Sequence, residues 1–157
     1  MNRPCFVKTT QGAARRQGGK MTKEPDKKSD DLAAKVIGAA IEVHRVLGPG
    51  YLEHVYEQAL AIELKLRGVP FVQQKPMCVD YKGHAVGEGR VDFLIDSCLI
   101  VELKAVDVLA PIHIAQVMSY LKAMNLPLGI LINFNVTLLK QGIRRVIRSA
   151  PLDDLAV

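Results

Sequence analysis

Residues 90–106 form the stretch that most restricts how this chain can fold. They read RVDFLIDSCLIVELKAV, which is almost wholly apolar except for a short polar segment at residues 96–98. Two apolar, β-branched runs around a short polar segment predict two buried strands joined by a tight turn. The runs also contain Asp92, Glu102 and Lys104. Because a buried charge is costly unless it is paired or binds a metal, these three residues need an explanation.

The length of the turn decides on which face of the sheet the two acidic residues lie. With a three-residue loop, Ile95 pairs with Leu99 and, in the same register, Asp92 pairs with Glu102. Cross-strand partners share a face, so the two carboxylates become direct neighbours. Lys104 follows Glu102 on that face, because side chains alternate with a period of two. A two-residue loop would instead place the carboxylates on opposite faces.

Two interpretations of this charged hairpin stay open from the residues alone. Adjacent carboxylates repel unless a proton or a cation lies between them, and a hard divalent ion such as Mg²⁺ or Mn²⁺ fits two oxygen ligands. Such an ion could activate water and polarise a phosphate, while Lys104 orients the water or neutralises developing charge. The alternative is a salt bridge, in which Lys104 pairs with Glu102 or Asp92.

The segments before the hairpin predict two helices and then an extended strand. SDDLAAKVIGAAIEVHRVLG has helical periodicity, with Ser29 or Asp30 as its candidate cap. YLEHVYEQALAIELKLRG is a second amphipathic helix. PFVQQKPMCVDY is extended, and a Lys-Gly turn at residues 82–83 leads it back toward the hairpin.

The segments after the hairpin complete an α/β order of elements. PIHIAQVMSYLKAMN predicts a helix that begins at Pro111, and LPLGILINF predicts a fully buried strand. The order is therefore α-α-β-β-β-α-β. TLLKQGIRRVIRS is a last element that is either a helix or a strand.

Charge and composition set the domain boundaries and exclude some partners. Residues 1–31 hold eight Lys/Arg and four Asp/Glu, which is +4 of the net charge of +5, so the remainder is almost neutral. We expect residues 1–30 to be a disordered basic tail, residues 31–150 to form one domain, and residues 151–157 to be a C-terminal tail. No apolar run approaches the roughly 18 residues of a membrane span. Three Cys without metal-binding spacing and the lack of a secretory segment favour the cytoplasm.

Two helical motifs accompany the hairpin. GYLEHVYEQAL places Glu53 and Tyr56 three residues apart in a G-x-x-E-x-x-Y pattern, and AQVMSY places Gln116 and Tyr120 four residues apart on one helical face. Each pair alone is ordinary on a helix. Together with the D…ExK hairpin, they resemble the PD-(D/E)xK nuclease superfamily, specifically its small GxxExxY branch, which is similar to RecB-like exonucleases. The resemblance covers residues 31–148.

The resemblance implies a fold and a set of metal-site residues. The fold is a restriction-endonuclease-like core, in which a central mixed β-sheet is flanked by helices. Asp92 and Glu102 would be the metal-binding carboxylates, and Lys104 would be the catalytic lysine. Glu53 would be a further carboxylate, near or on the metal and part of the catalytic set. The implied cofactor is Mg²⁺ or Mn²⁺.

The resemblance also implies residues that contact the substrate. Gln116 and Tyr120 match a Q-x-x-x-Y motif placed near the metal and phosphate, and Tyr56 belongs to the GxxExxY motif. His44 is either a phosphate contact or a helix-end histidine beside the negative end of the helix dipole. RecB-like members that bind an iron–sulfur cluster use four Cys, so this chain with three is expected to have none.

The implied function is a divalent-metal-dependent nuclease, a hydrolase acting on phosphodiester bonds in DNA rather than RNA. The alternative is a nucleic-acid-binding or assembly module of nuclease fold with weak or no catalysis. The near-neutral folded part keeps this alternative open, because a fold does not by itself determine a function. Nucleic acid is the expected partner in both cases, no membrane partner is expected, and a homo-oligomer or a further protein partner stays unspecified.

Overall fold

The structure is a computed structural model that describes residues 25–149. The residues expected to form tails lie outside this range, except residues 25–30. The helices are α1 (Lys27–Leu47), α2 (Glu53–Leu66), α3 (Pro111–Met124) and α4 (Leu139–Gly142). The strands are β1 (Phe71–Tyr81), β2 (His84–Ile95), β3 (Leu99–Lys104), β4 (Leu128–Asn133) and β5 (Ile143–Ile147).

Helix α1 begins before the boundary that the sequence predicted. Residues 27–30, which were expected to belong to the tail, form its first turn. The cap is Asp26, whose Oδ1 accepts a hydrogen bond from the Ser29 backbone N–H at 2.8 Å. The prediction of Ser29 or Asp30 as the cap is therefore wrong. Ser29 is only 2% exposed because it packs inside the first turn instead of ending the helix.

The five strands form one mixed sheet in the order β1-β2-β3-β4-β5. Strands β3 and β4 are parallel, and the other neighbouring strands are antiparallel. The predicted three-residue turn at residues 96–98 is confirmed, and Ile95 pairs with Leu99. All six residues of β4 are buried, as its apolar sequence predicted.

Helices cover both faces of the sheet and create two cores. The larger core contains residues of α1 and α2, such as Val36 and Leu60, together with the side chains on one face of β3. The smaller core lies under α3 and includes Val117 and Leu121. Helix α3 approaches the sheet closely at Gly129, where a Cβ atom would lie 2.6 Å from a methyl group of Val117. The central strands β3 and β4 are thus buried on both sides, as an α/β fold requires, whereas the far ends of β1 and β2 are exposed.

The last element is both a helix and a strand. The four-residue helix α4 is followed directly by β5, which pairs antiparallel with β4. Between residues 25 and 149, no helix combines the length and the apolar character needed to cross a membrane.

Candidate active site

The charged hairpin lies where the pairing of β2 with β3 ends. Backbone pairing runs from Ile95 and Leu99 to the pair of Phe93 and Val101. One residue further along each strand, hydrogen bonds from side chains to the backbone replace the backbone pairing. Asp92 Oδ2 accepts the Leu103 backbone N–H at 2.7 Å, and the Asp92 backbone N–H points to Glu102 Oε2 at 3.4 Å. The two carboxylates therefore occupy the gap between the strands and provide acceptors for backbone groups there.

The alternation of side chains between the two faces of β2 is interrupted at the same place. Phe93 and Ile95 pack in the larger core, whereas Leu94 packs in the smaller core under α3. Strict alternation would place Val91 on the same side as Phe93, yet Val91 belongs to the smaller core. The regular alternation of β2 is thus broken between Val91 and Phe93.

Glu102 is the most strongly perturbed acid of the hairpin. It is 4% exposed, and burial together with the nearby Asp92 charge raises its pKa to about 7. Lys104 Nζ lies 3.4 Å from Glu102 Oε1 and acts in the opposite direction, but it does not offset the burial. This carboxyl group therefore keeps its proton to a higher pH than an exposed glutamate does.

Asp92 has a raised pKa for a similar reason. It is 8% exposed, and burial is the largest cause of the shift. The Leu103 backbone N–H lowers the pKa, whereas the negative charge of Glu57 raises it further. Asp92 is thus held by good hydrogen bonds in a place that disfavours its charge.

Glu53 interacts with the charges of Asp92 and Lys104, and these three residues together with Glu102 are called the cluster below. It is the first residue of α2 and is largely exposed. Its pKa is nevertheless raised, mainly because the surrounding protein removes part of its solvent, and next because of the charges of Asp92 and Glu57. Lys104 lowers the pKa of Glu53. These interactions place the predicted helix carboxylate near the hairpin charges.

Three further residues near these charges were missed by sequence reasoning. Glu57 lies one helical turn after Glu53, and its Oε1 accepts hydrogen bonds from Gln73 Nε2 at 2.7 Å and Gln74 Nε2 at 2.8 Å. The same Gln74 nitrogen lies 3.2 Å from Asp92 Oδ1. The four-residue spacing of the two glutamates and the paired glutamines in an extended segment are the only signals that could have pointed to them.

The donor chemistry of this cluster fits a hard cation. Within residues 25–149, no group of three or more His, Cys, Asp or Glu side chains is arranged as a ready metal site. Asp92 and Glu102 still offer two buried oxygen ligands whose mutual repulsion contributes to the raised pKa of Glu102. A divalent ion would replace that repulsion with attraction, so these two residues are the ones that would hold it.

A family comparison identifies the chain. Residues 30–146 match the model of the PD-(D/E)XK nuclease superfamily. The chain belongs to this superfamily. One solved structure, "Crystal structure of SSO0001", is 22% identical, with a TM-score of 0.46 over 80% of this chain and 59% of that one. This chain thus spans less than two thirds of that structure's length. No curated protein matches the sequence.

Tyr56, for which the sequence predicted a contact with substrate, lies inside the core. In this superfamily member the side chain has no exposed surface. Its hydroxyl donates to the Gly48 carbonyl at 2.6 Å and accepts the Tyr51 backbone N–H at 3.2 Å, while its ring stacks on Phe134 at 4.5 Å. Tyr56 therefore fixes the loop between α1 and α2 from within the core, and its contact with substrate stays a prediction.

The other predicted substrate contacts lie on two different helices. Gln116 Nε2 donates to the Tyr120 hydroxyl at 2.9 Å, and both side chains are partly exposed on α3. His44 Nε2 lies 2.8 Å from the Val136 carbonyl, so one ring nitrogen already has a partner within the fold. In the described part of the chain, none of these three side chains forms a hydrogen bond with Asp92, Glu102 or Lys104. Their contact with substrate stays a prediction.

Proposed function

We propose that this protein is a divalent-metal-dependent nuclease that hydrolyses phosphodiester bonds in DNA, and that it belongs to the GxxExxY, RecB-like branch of its superfamily. One observation carries the proposal. Asp92 and Glu102 are buried side by side where the β2–β3 ladder stops, with the Lys104 ammonium 3.4 Å from Glu102. Superfamily membership supports a nuclease-like function for this arrangement.

Each side chain of the cluster has a defined part in the proposed reaction. Asp92 and Glu102 would hold a Mg²⁺ or Mn²⁺ ion, and Glu53 would add negative charge beside them. When bound, the ion supplies activation of water and stabilisation of charge on the phosphate. Lys104 orients the attacking water or neutralises negative charge that develops on the phosphate. Its position beside Glu102 suits this role because the carboxylate restrains the ammonium group.

The substrate would approach along the side of the sheet that α3 covers. The smaller core under α3 includes Ile100, the neighbour of Glu102 on the same face of β3. The hydrogen-bonded pair of Gln116 and Tyr120 lies on this helix and offers an amide and a phenol to a phosphate or a base. We include His44 as a phosphate contact through its remaining ring nitrogen.

The test is a cleavage screen with Mg²⁺ and with Mn²⁺ over single-stranded, double-stranded and branched DNA and over RNA. We expect metal-dependent cleavage of DNA by the wild type, and its loss in Asp92→Asn. The matched control is Asp31→Asn, which makes the same chemical change at an exposed position of α1 and should cleave normally.

Two results would count against the proposal. Cleavage that persists in EDTA would exclude the metal dependence, and equal activity of Asp92→Asn and wild type would exclude the site. If DNA binds tightly but is not cut under any condition of the screen, the protein is instead a binding module of nuclease fold.

A further inference from the structure

Gln74 has an unusual backbone conformation in the middle of strand β1. Its φ is +52°, a region in which a residue with a side chain is uncommon inside a strand. The pairs on either side are regular, with Gln73 opposite Phe93 and Lys75 opposite Val91. Gln74 therefore lies opposite Asp92, at the place where the side-chain alternation of β2 is interrupted. Such strained residues persist only where other interactions hold them.

Two carboxylates hold the Gln74 side chain. Its Nε2 lies 2.8 Å from Glu57 Oε1 on α2 and 3.2 Å from Asp92 Oδ1 on β2. One amide group thus stands between two negative oxygens that come from different elements of the fold. A hydrogen-bond donor in this position reduces the repulsion between the two acids and fixes the distance between them.

The two oxygens of Asp92 are restrained by different partners. Oδ2 accepts the Leu103 backbone N–H at 2.7 Å, and Oδ1 accepts the Gln74 amide. With both oxygens restrained, the carboxylate cannot rotate freely about its last bond. A ligand that is oriented before the ion arrives binds it more tightly, and outer partners of this kind are worth about 10–100-fold in metal affinity.

We propose that Gln74 is a positioning residue for Asp92, itself oriented by Glu57, and that it sets the affinity of the cation site. The inference rests on the proposed function, because it requires Asp92 to be a metal ligand. Gln74 need not touch the ion or the substrate. It acts through the carboxylate that it orients.

The neighbouring Gln73 provides a matched control. Its Nε2 also donates to Glu57 Oε1, at 2.7 Å, but it has no hydrogen bond to Asp92 within residues 25–149. Replacing either glutamine by asparagine shortens the side chain by one methylene group. Only the change at residue 74 removes a restraint from Asp92.

The experiment measures Mn²⁺ affinity by calorimetry and the melting temperature in EDTA, on the full chain stripped of metal. The variants are Gln74→Asn, Gln74→Gly and Gln73→Asn. Asparagine tolerates a positive φ better than most residues, and glycine adopts it freely, so neither change at residue 74 adds backbone strain. We expect Mn²⁺ to bind about 10–100-fold more weakly to both Gln74 variants and within about threefold of wild type to Gln73→Asn.

The melting temperature separates positioning from a structural role. Gln74→Gly is expected to melt in EDTA within a few degrees of wild type while its Mn²⁺ affinity falls. If wild type binds Mn²⁺ and Gln74→Gly binds it equally well, the inference is wrong and the proposed function stands. A parallel loss of stability and affinity in both Gln74 variants would also overturn the inference. If wild type itself binds no Mn²⁺, both the inference and the proposed metal site are wrong.

Discussion

Replacing Glu102 with glutamine should make the metal-free protein more stable at pH 8. Burial and the Asp92 charge raise the pKa of this carboxyl from its ordinary value of 4.5 to about 7. Ionised Glu102 is therefore unfavourable in the folded state when no cation is bound. Glutamine has nearly the same shape and remains neutral, so it removes this cost and retains an oxygen acceptor near the Asp92 backbone N–H.

The size of this stabilisation follows from the pKa values of Glu102 in the unfolded and the folded protein. Its dependence on pH follows from the protons that each state binds. Between pH 4.5 and 7 the folded protein keeps a proton on Glu102 that the unfolded chain has released. The free energy of unfolding therefore falls as the pH rises through this window. The stabilising contribution is complete below pH 4.5 and lost above pH 7, and the difference is about 3 kcal/mol. At pH 8 Glu102→Gln should exceed wild type by up to this amount.

The assay is urea denaturation in EDTA at several pH values from 4.5 to 8. The difference between wild type and Glu102→Gln should be small at pH 4.5 and grow as the pH rises. Glu63→Gln is the matched control, because Glu63 forms a surface ion pair with Arg67 and its loss should change stability by less than about 1 kcal/mol. Saturating Mg²⁺, at about 100 times its dissociation constant, should stabilise wild type by about 2.7 kcal/mol and leave Glu102→Gln unaffected.

The opposite result would favour the salt-bridge interpretation of the hairpin. If Glu102 mainly stabilises the fold by pairing with Lys104, its replacement would leave a partly buried ammonium group with less compensation. Glu102→Gln would then be less stable than wild type at pH 8, by about 3–5 kcal/mol if the pair were fully buried. That outcome, together with no effect of metal on either protein, would refute the reasoning.

Three further predictions test the site and the fold separately. Lys104→Met should abolish cleavage while the circular dichroism spectrum stays that of wild type, and a variant that retains activity would remove the lysine from the mechanism. Tyr56→Phe should lose about 1–3 kcal/mol of stability in urea, because its hydroxyl bonds inside the core, and should leave the KM for DNA unchanged. A raised KM in a stable Tyr56→Phe would support its predicted substrate role. Gly142→Ala should lower the melting temperature clearly, because a Cβ atom would lie 2.2 Å from the Asn133 carbonyl oxygen; an unchanged melting temperature would contradict this packing.

The turn of the charged hairpin could be predicted because the polar residues 96–98 interrupt two apolar runs. The register follows from the length of this loop and not from the apolar pattern, because residues 91–95 and 99–103 are buried on both faces of the sheet. The last element could not be assigned for a different reason. Residues 139–142 form only one helical turn before β5 begins, which is too short for either period to appear.

The glutamines and Glu57 could not be predicted because their roles depend on packing between distant segments. Gln74 contacts Glu57 only because α2 packs against the sheet. Its positive φ could not be predicted either, because the residue is neither glycine nor asparagine, the residues that usually adopt this conformation. The different environments of Tyr56 and Glu53 follow from helix geometry. Tyr56 shares a motif with Glu53, but a step of three residues leaves about 60° between two side chains on a helix. That rotation is enough for Glu53 to be exposed while Tyr56 is fully buried.

The place of the charges within two apolar strands has a structural reason as well as a chemical one. The ladder between β2 and β3 stops beside Asp92, and the Leu103 N–H would lack an acceptor there without the Asp92 carboxylate. An apolar residue in place of Asp92 would remove the metal ligand and also leave a buried donor without a partner, which costs about 1–3 kcal/mol. Loss of activity in such a variant would therefore not identify a catalytic role. An amide keeps an oxygen acceptor for Leu103 and removes the charge, at the cost of the second oxygen, which accepts the Gln74 amide. Asp92→Asn and Glu102→Gln therefore disturb the fold less than apolar substitutions and are the better changes for testing the chemistry of this hairpin.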